Sequence, residues 1–327
     1  MTRPLRWGLL GTAHINRRVI PAIRSARRSM LAAVGSRLPA RADEFARHWN
    51  IPVAHGSYDA LLRDRGVDAV YIPLPNALHV EWTLRALDAG KHVLCEKPLA
   101  LAPDDVQRIE AVARAGALVV TEAFMYRHEP LIARVLALVR EGEIGALERL
   151  NAGFTYLQRR APDVRLDASL GGGSLWDVGC YAVSAVRLIA GAEPCAAFGF
   201  ATMTAAGVDE SFSGLLQFAR GAVATVHSSF RTPYRAWLEV VGSEGVLSVA
   251  NPFKPGPAEV IAIRRGEEER RETIEGSPLL FVRQIDDFVA AALDGRAPAV
   301  SLSESRGNAA ALAALQTSAR SRRAVTI

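Results

Sequence analysis

Over its first third the chain alternates short apolar runs with helix-length amphipathic segments, and few folds accept that rhythm. Residues 5–10 form an apolar run, followed by Gly11-Thr12-Ala13-His14-Ile15-Asn16 and a helix to about Arg27. Residues 31–36 predict a second strand, residues 40–49 a helix, and residues 69–72 a strongly apolar strand. A helix over residues 77–88, a strand entering Glu96-Lys97, a helix over 104–114 and a strand over 118–121 complete the series. Strand and helix recurring at βαβ spacing predict a doubly wound parallel sheet of Rossmann type, with ligands held at the carboxyl ends of its strands. At 327 residues two domains are expected, residues 1–123 carrying this sheet and residues 124–327 a second domain, with the last helix able to pack back on the first.

A dinucleotide would sit on the first turn, residues 11–15. The usual fingerprint there is three glycines, for the turn, for backbone approach to a pyrophosphate, and for helix packing. Only Gly11 stands in this chain; Ala13 and Asn16 occupy the other two positions. The end of the second strand adds a preference. NAD is held there by a carboxylate on its ribose hydroxyls, whereas this chain offers Ser36, Arg37 and Arg41. A hydroxyl and two guanidiniums suit a 2′-phosphate. NADP is therefore expected ahead of NAD.

The run Val93-Leu94-Cys95 ends in Glu96-Lys97-Pro98, charges at the mouth of a crevice. Composition gives Lys97 its weight: of 39 basic residues only Lys91, Lys97 and Lys254 are lysines. Arginine does not release its proton at working pH, whereas a desolvated lysine can. A site that exchanges protons needs the lysine.

After a helix over residues 130–140, segments at 147–157, 196–203, 212–218, 222–230, 237–241 and 246–249 have strand character, separated by turn residues that predict antiparallel neighbours. Arg264-Arg265 and Arg270-Arg271 flank Glu267-Glu268-Glu269 as a solvated hairpin, so the net charge of +5 gives no stripe that would track nucleic acid. A helix is expected over residues 174–189. Asp177 and Tyr181 share one face of it, and Ser174-x-x-Asp177 also reads as a capping box. No His or Cys spacing suits a metal. Three cysteines, no apolar run of the ~18 residues that cross a bilayer and no signal-peptide core near Met1 point to the cytoplasm.

Leu74-Pro75-Asn76-Ala77-Leu78-His79, Glu96-Lys97-Pro98 and Gly171-Gly172-Gly173-Ser174-Leu175-Trp176-Asp177-Val178-Gly179-Cys180-Tyr181 together carry a resemblance. The chain is similar over nearly its whole length to the Gfo/Idh/MocA family of oxidoreductases. It most resembles the branch containing glucose-fructose oxidoreductase, aldose 1-dehydrogenases and dihydrodiol dehydrogenases. The resemblance implies a second domain with an open, largely antiparallel sheet, and a homodimer or homotetramer. It implies catalytic roles for Lys97, Asp177 and Tyr181, and cofactor contacts from Tyr58 and Arg127 alongside Arg37 and Arg41. Residues 11–15, Leu74, Pro75, Asn76, His79 and Glu96 belong to the same expected crevice. A phenol titrates near ~10 in water and needs a neighbouring cation to accept a proton at neutral pH. Lys97 would supply that field, or accept the proton itself. The expected reaction is NADP-linked oxidation of a sugar or polyol carbinol, aldose C1 to lactone first. A trans-dihydrodiol dehydrogenase is the nearest competitor, with Trp176 or Phe253 as an apolar wall. A non-catalytic sensor of the same fold is the rival from another class.

Overall fold

The computed structural model describes residues 3–159 and 162–327. The chain divides into two compact units. The first takes residues up to Ala100, Asp104–His128 and Leu279–Ser305; the second takes Leu101–Pro103, Glu129–Pro278 and Arg306–Ile327.

The first unit is built on six strands: β1 (Leu5–Leu10), β2 (Ser29–Gly35), β3 (Val53–His55), β4 (Ala69–Ile72), β5 (His92–Cys95) and β6 (Val120–Glu122). Their order, β3-β2-β1-β4-β5-β6, is parallel throughout and reverses direction at β1, the arrangement that opens a ligand crevice beyond the strand ends. Between the strands run α1 (Asn16–Ser25), α2 (Pro39–Trp49), α3 (Tyr58–Leu62), α4 (His79–Asp88) and α5 (Pro103–Ala115). β4 and most of β5 are apolar on both faces, as sheets covered on both sides require. β3 has no counterpart among the expected strands. It is three residues long with Val53 exposed, too brief for a hydrophobic period to register.

The second unit contains α6 (Pro130–Arg140), then β7 (Leu147–Thr155), α7 (Cys180–Ala190), β8 (Pro194–Met203), β9 (Asp209–Phe218), β10 (Val223–Ser229), β11 (Arg235–Gly242), β12 (Val246–Val249), β13 (Ala258–Arg265) and β14 (Glu268–Glu275). α8 (Val282–Asp294) returns to the first unit, where Phe288 packs 4.8 Å from Trp7 of β1. The chain closes with α9 (Leu302–Ser321) and β15 (Val325–Thr326). The large sheet runs β14-β13-β12-β11-β7-β10-β9-β8-β15 and is antiparallel except between β7 and β10. β13 and β14 form the charged hairpin that the Arg-Glu pattern predicted.

α7 packs on β7 and β10 and is buried from Cys180 to Arg187. The sheet's alternation follows: on β9, Phe212, Leu216 and Phe218 are buried while Ser213, Leu215 and Gln217 face outward. That outward face is not polar throughout. Phe200 is 64% and Leu215 44% exposed beside a shallow groove that also takes in Phe198 and His227.

Candidate active site

In the first unit the turn after β1 is shaped by Gly11 and Asn16. Gly11 has φ +116°, and a Cβ there would crowd Leu74 and the Tyr58 hydroxyl at 3.3 and 3.5 Å. Asn16 opens α1 fully buried, and its Nδ2 donates to the Gly11 carbonyl at 2.8 Å. Its Oδ1 is buried and has no hydrogen-bond partner. The residue that broke the glycine pattern thus holds the turn from inside. Thr12, Ala13 and Ile15 are half-buried and His14 is exposed, with a one-turn bond from Asn16 N–H to the Ala13 carbonyl.

At the end of β2, Ser36 is buried and accepts from Leu38 N–H, while Arg37 and Arg41 are exposed. Tyr58, at the start of α3, comes to the same place. Burial pushes its hydroxyl pKa up, against the pull of Arg37, which hydrogen-bonds to it, and of Arg41. Gly11, Tyr58, Arg37 and Arg41 therefore form one neighbourhood with no carboxylate at the strand end. These residues fit a dinucleotide bearing a 2′-phosphate: a tight backbone turn beside two guanidiniums on an aromatic support.

The next two strand ends meet through His79. Its ring is fully buried, with Nε2 2.7 Å from the Leu74 carbonyl and Nδ1 2.7 Å from the Pro98 carbonyl. Two carbonyl acceptors favour the doubly protonated ring. Burial outweighs them, with the Lys97 ammonium adding to it, and the pKa falls to about 4. His79 thus spends both nitrogens on backbone, tying the Leu74-Pro75-Asn76 loop to the Lys97-Pro98 loop. Leu74, Pro75, Asn76, Glu96 and Lys97 are half-buried. The Tyr71 hydroxyl donates to Glu96 Oε1 at 2.5 Å, and Leu99 N–H to Glu122 at 2.9 Å, so the Glu96-Lys97-Pro98 segment is braced on both sides. Arg127 lies in the same unit with its guanidinium nearly buried, donating to both oxygens of Glu304 at 2.9 Å.

In the second unit the helix carrying Asp177 and Tyr181 does not begin as the sequence predicts. Ser174 makes no cap to its own helix; its hydroxyl donates to Asp209 Oδ2 of β9 at 2.7 Å, and Asp209 Oδ2 also accepts from Leu175 N–H at 2.8 Å. A buried carboxylate 35 residues downstream therefore caps the turn, and burial raises its pKa. The Gly171-Gly172-Gly173 run lets this happen. Gly173 has φ +121° and a Cβ there would collide with Asp209, while one on Gly172 would collide with the Arg165 carbonyl. Residues Leu175–Gly179 form a wide π-helical turn before α7. Such turns recur where a side chain has to be presented rather than packed.

Asp177 is presented from that turn. Its Oδ2 accepts from the Tyr156 hydroxyl at 2.8 Å and from Arg165 Nε at 3.1 Å. Arg165 Nη1 reaches Asp163 at 3.2 Å. The guanidinium pKa is raised, chiefly by Asp177. Tyr181 is buried among aromatic rings, 5.6 Å from both Phe154 and Phe253. Lys254 places its ammonium 5.0 Å from the Phe154 ring centre. Trp176 and Phe253, the expected apolar wall, are both buried. Tyr156, Arg165, Asp209 and Lys254 gave no local sequence signal. Each acts across a fold contact, and Arg165 is one arginine among many.

Among the described residues no group of His, Cys, Asp and Glu is arranged to hold a metal, and no helix is long and apolar enough to cross a membrane. Compared with known proteins, residues 5–124 match the Gfo/Idh/MocA oxidoreductase family, NAD-binding Rossmann fold, and residues 132–248 match the C-terminal domain of that family. An NADP-dependent D-xylose 1-dehydrogenase of Haloferax volcanii is 40% identical over 92% of this chain and 93% of its own. A trans-1,2-dihydrobenzene-1,2-diol dehydrogenase of Xenopus tropicalis is 31% identical over 75% of this chain and 74% of its own. A 3-ketoreductase from Actinomadura kijaniata, solved with NADP and TDP-benzene, superposes with a TM-score of 0.92 at 33% identity, over 97% of this chain and 98% of its own.

Proposed function

The chain belongs to the Gfo/Idh/MocA family of oxidoreductases, and on that premise we propose that it is an NADP-dependent dehydrogenase of free sugars or polyols, oxidising an aldose at C1 to the lactone. The observation that carries the reading is the neighbourhood of Arg37, Arg41 and Tyr58 beside the Gly11 turn, which suits NADP, together with the 40% identity to an NADP-dependent xylose dehydrogenase. When bound, the cofactor supplies the hydride acceptor. The chain supplies the rest. Lys97 and Tyr181 handle the proton released from the carbinol oxygen, and Asp177 accepts a hydrogen bond from a substrate hydroxyl. Gly11, Thr12, Ala13, His14 and Ile15 line the pyrophosphate, and Leu74, Pro75 and Asn76 with Glu96 border the nicotinamide. Arg127, paired here with Glu304, would contact the cofactor as the family resemblance implies. His79 shapes the crevice without entering it.

A second substrate class, a trans-dihydrodiol, is favoured by the 31% identity to a trans-1,2-dihydrobenzene-1,2-diol dehydrogenase. A panel of aldoses, inositols, dihydrodiols and nucleotide-linked sugars, followed by NADPH absorbance, separates the two. Turnover of aldoses is the expected result; turnover of dihydrodiols alone replaces the sugar reading.

We also assign the enzyme to the cytoplasm as a homodimer or homotetramer. Phe200 and Leu215 stand exposed on the open face of the large sheet, where a second copy would cover them. Phe200→Asp with Leu215→Arg should lower the mass in light scattering to that of one chain; an unchanged mass places the interface elsewhere.

A further inference from the structure

The second unit holds its Asp177 carboxylate in a way that the family resemblance did not assign. Two donors converge on one oxygen, Oδ2: the Tyr156 hydroxyl at 2.8 Å and Arg165 Nε at 3.1 Å. Arg165 is itself fixed from three directions. Its Nη1 is drawn to Asp163 at 3.2 Å, its N–H donates to Asp163 at 2.9 Å, and its carbonyl accepts from Gly173 N–H at 2.9 Å. Gly172 closes against that carbonyl so tightly that no side chain fits at the position. Tyr156, just past the end of β7, the loop carrying Arg165 and the turn carrying Asp177 are thereby locked into one arrangement. The guanidinium remains part-exposed, at 42% for its side chain, while Asp177 is at 13%, so the cation faces outward beside a mostly covered carboxylate.

We propose that Arg165, assisted by Tyr156, is the positioning residue of Asp177: it fixes the plane in which that carboxylate meets a substrate hydroxyl. The geometry accounts for the choice of arginine. A fork donor bonded on one side to Asp163 and on the other to Asp177 cannot rotate without breaking one of the two, which a lysine ammonium could do freely. The proposal rests on Asp177 touching the substrate as assigned above.

The test uses the full-length enzyme and the variants Arg165→Gln, Arg165→Lys and Tyr156→Phe. Carbon-13 NMR titration of the Asp177 carboxyl, without substrate, should show its pKa rise by about one unit or more in Arg165→Gln, because an adjacent guanidinium depresses a carboxyl by that order. Arg165→Lys should restore most of that shift. On an aldose that the wild type turns over, Arg165→Gln should lower kcat roughly 10- to 100-fold, the scale of a misplaced contact group, with NADP affinity unchanged. Its acid limb in kcat/KM should move up with the carboxyl. Arg165→Lys should recover the limb but not the full rate, and Tyr156→Phe should lose rate with a smaller shift. An unshifted Asp177 in Arg165→Gln overturns the proposal, whatever the substrate. So does a rate loss that comes only with lost NADP binding and lowered thermal stability, the mark of a purely structural residue. A wild type inert on every aldose, with the titration behaving as described, overturns the sugar reading and leaves the positioning role standing.

Discussion

At the end of β2 the proposed preference for NADP rests largely on a single guanidinium. Arg37 bonds to the buried Tyr58 hydroxyl, so it is oriented before any phosphate arrives. Charge-assisted arginine-phosphate contacts contribute roughly 1.5–3 kcal/mol each, enough for a tenfold preference or more. Arg37→Ala should therefore weaken NADP at least tenfold in a fluorescence titration and leave NAD nearly unchanged; equal losses for both would remove Arg37 from the phosphate. The residues proposed to handle the proton call for a different readout. Lys97→Met and Tyr181→Phe should each keep NADP affinity while turnover falls by about 10² or more, the scale of lost acid-base assistance. Two variants at wild-type rate would show that neither group handles the proton. Lys97 stood out in the sequence because lysine is scarce in this chain, and its role is what the Lys97→Met variant tests. Asn16 was misleading for the opposite reason: it stood where glycine was expected, and only the fold shows its amide holding the Gly11 carbonyl.

The elements that bear the candidate site were legible to different depths. Strands with long apolar runs were found at nearly their observed bounds, because burial on both faces leaves an unbroken pattern. β3 escaped because three residues cannot show a period. The start of the Asp177 helix was read as a local capping box, and the cap proves to be non-local: Asp209, on the second strand after α7, takes the Ser174 hydroxyl and the Leu175 amide. No window of sequence links those positions. Asp209→Ala should cost roughly 2–4 kcal/mol, since two buried donors lose a charged acceptor, and Asp209→Asn should recover part of it. Denaturant midpoints measure this; an alanine variant as stable as wild type would mean that the turn is held by its glycines alone.

At the scale of the whole molecule, the first unit contains a built-in acid sensitivity. His79 and His128 are both held near a pKa of about 4 by burial. An unfolded histidine titrates near ~6.5, so between those values the unfolded chain binds more protons than the folded one. Stability from these groups is complete above about pH 6.5 and is lost as pH falls toward 4. His79 alone should remove about 2 kcal/mol between pH 7.5 and 5, above the range where most carboxylates titrate. A urea midpoint unchanged across that interval would show that His79 keeps its second proton when folded. The layout of the chain differs from the expectation in which helix returns: the last helix was expected to pack back on the first unit, whereas α8, within Leu279–Ser305, belongs there, with Phe288 against Trp7, and most of α9 belongs to the second unit. The sparse lysines have one more consequence. Lys91 is buried, its ammonium donating to the carbonyls of Asp64 and Val67 at 2.8 and 2.7 Å, and is closed to acylating agents in the folded protein. Side-chain amines open to such reagents are thereby reduced to half-buried Lys97 and exposed Lys254. A brief amine-labelling pulse read by peptide mass becomes a two-point footprint: NADP should protect Lys97 if it borders the cofactor as proposed, with the adduct at Lys254 as internal reference.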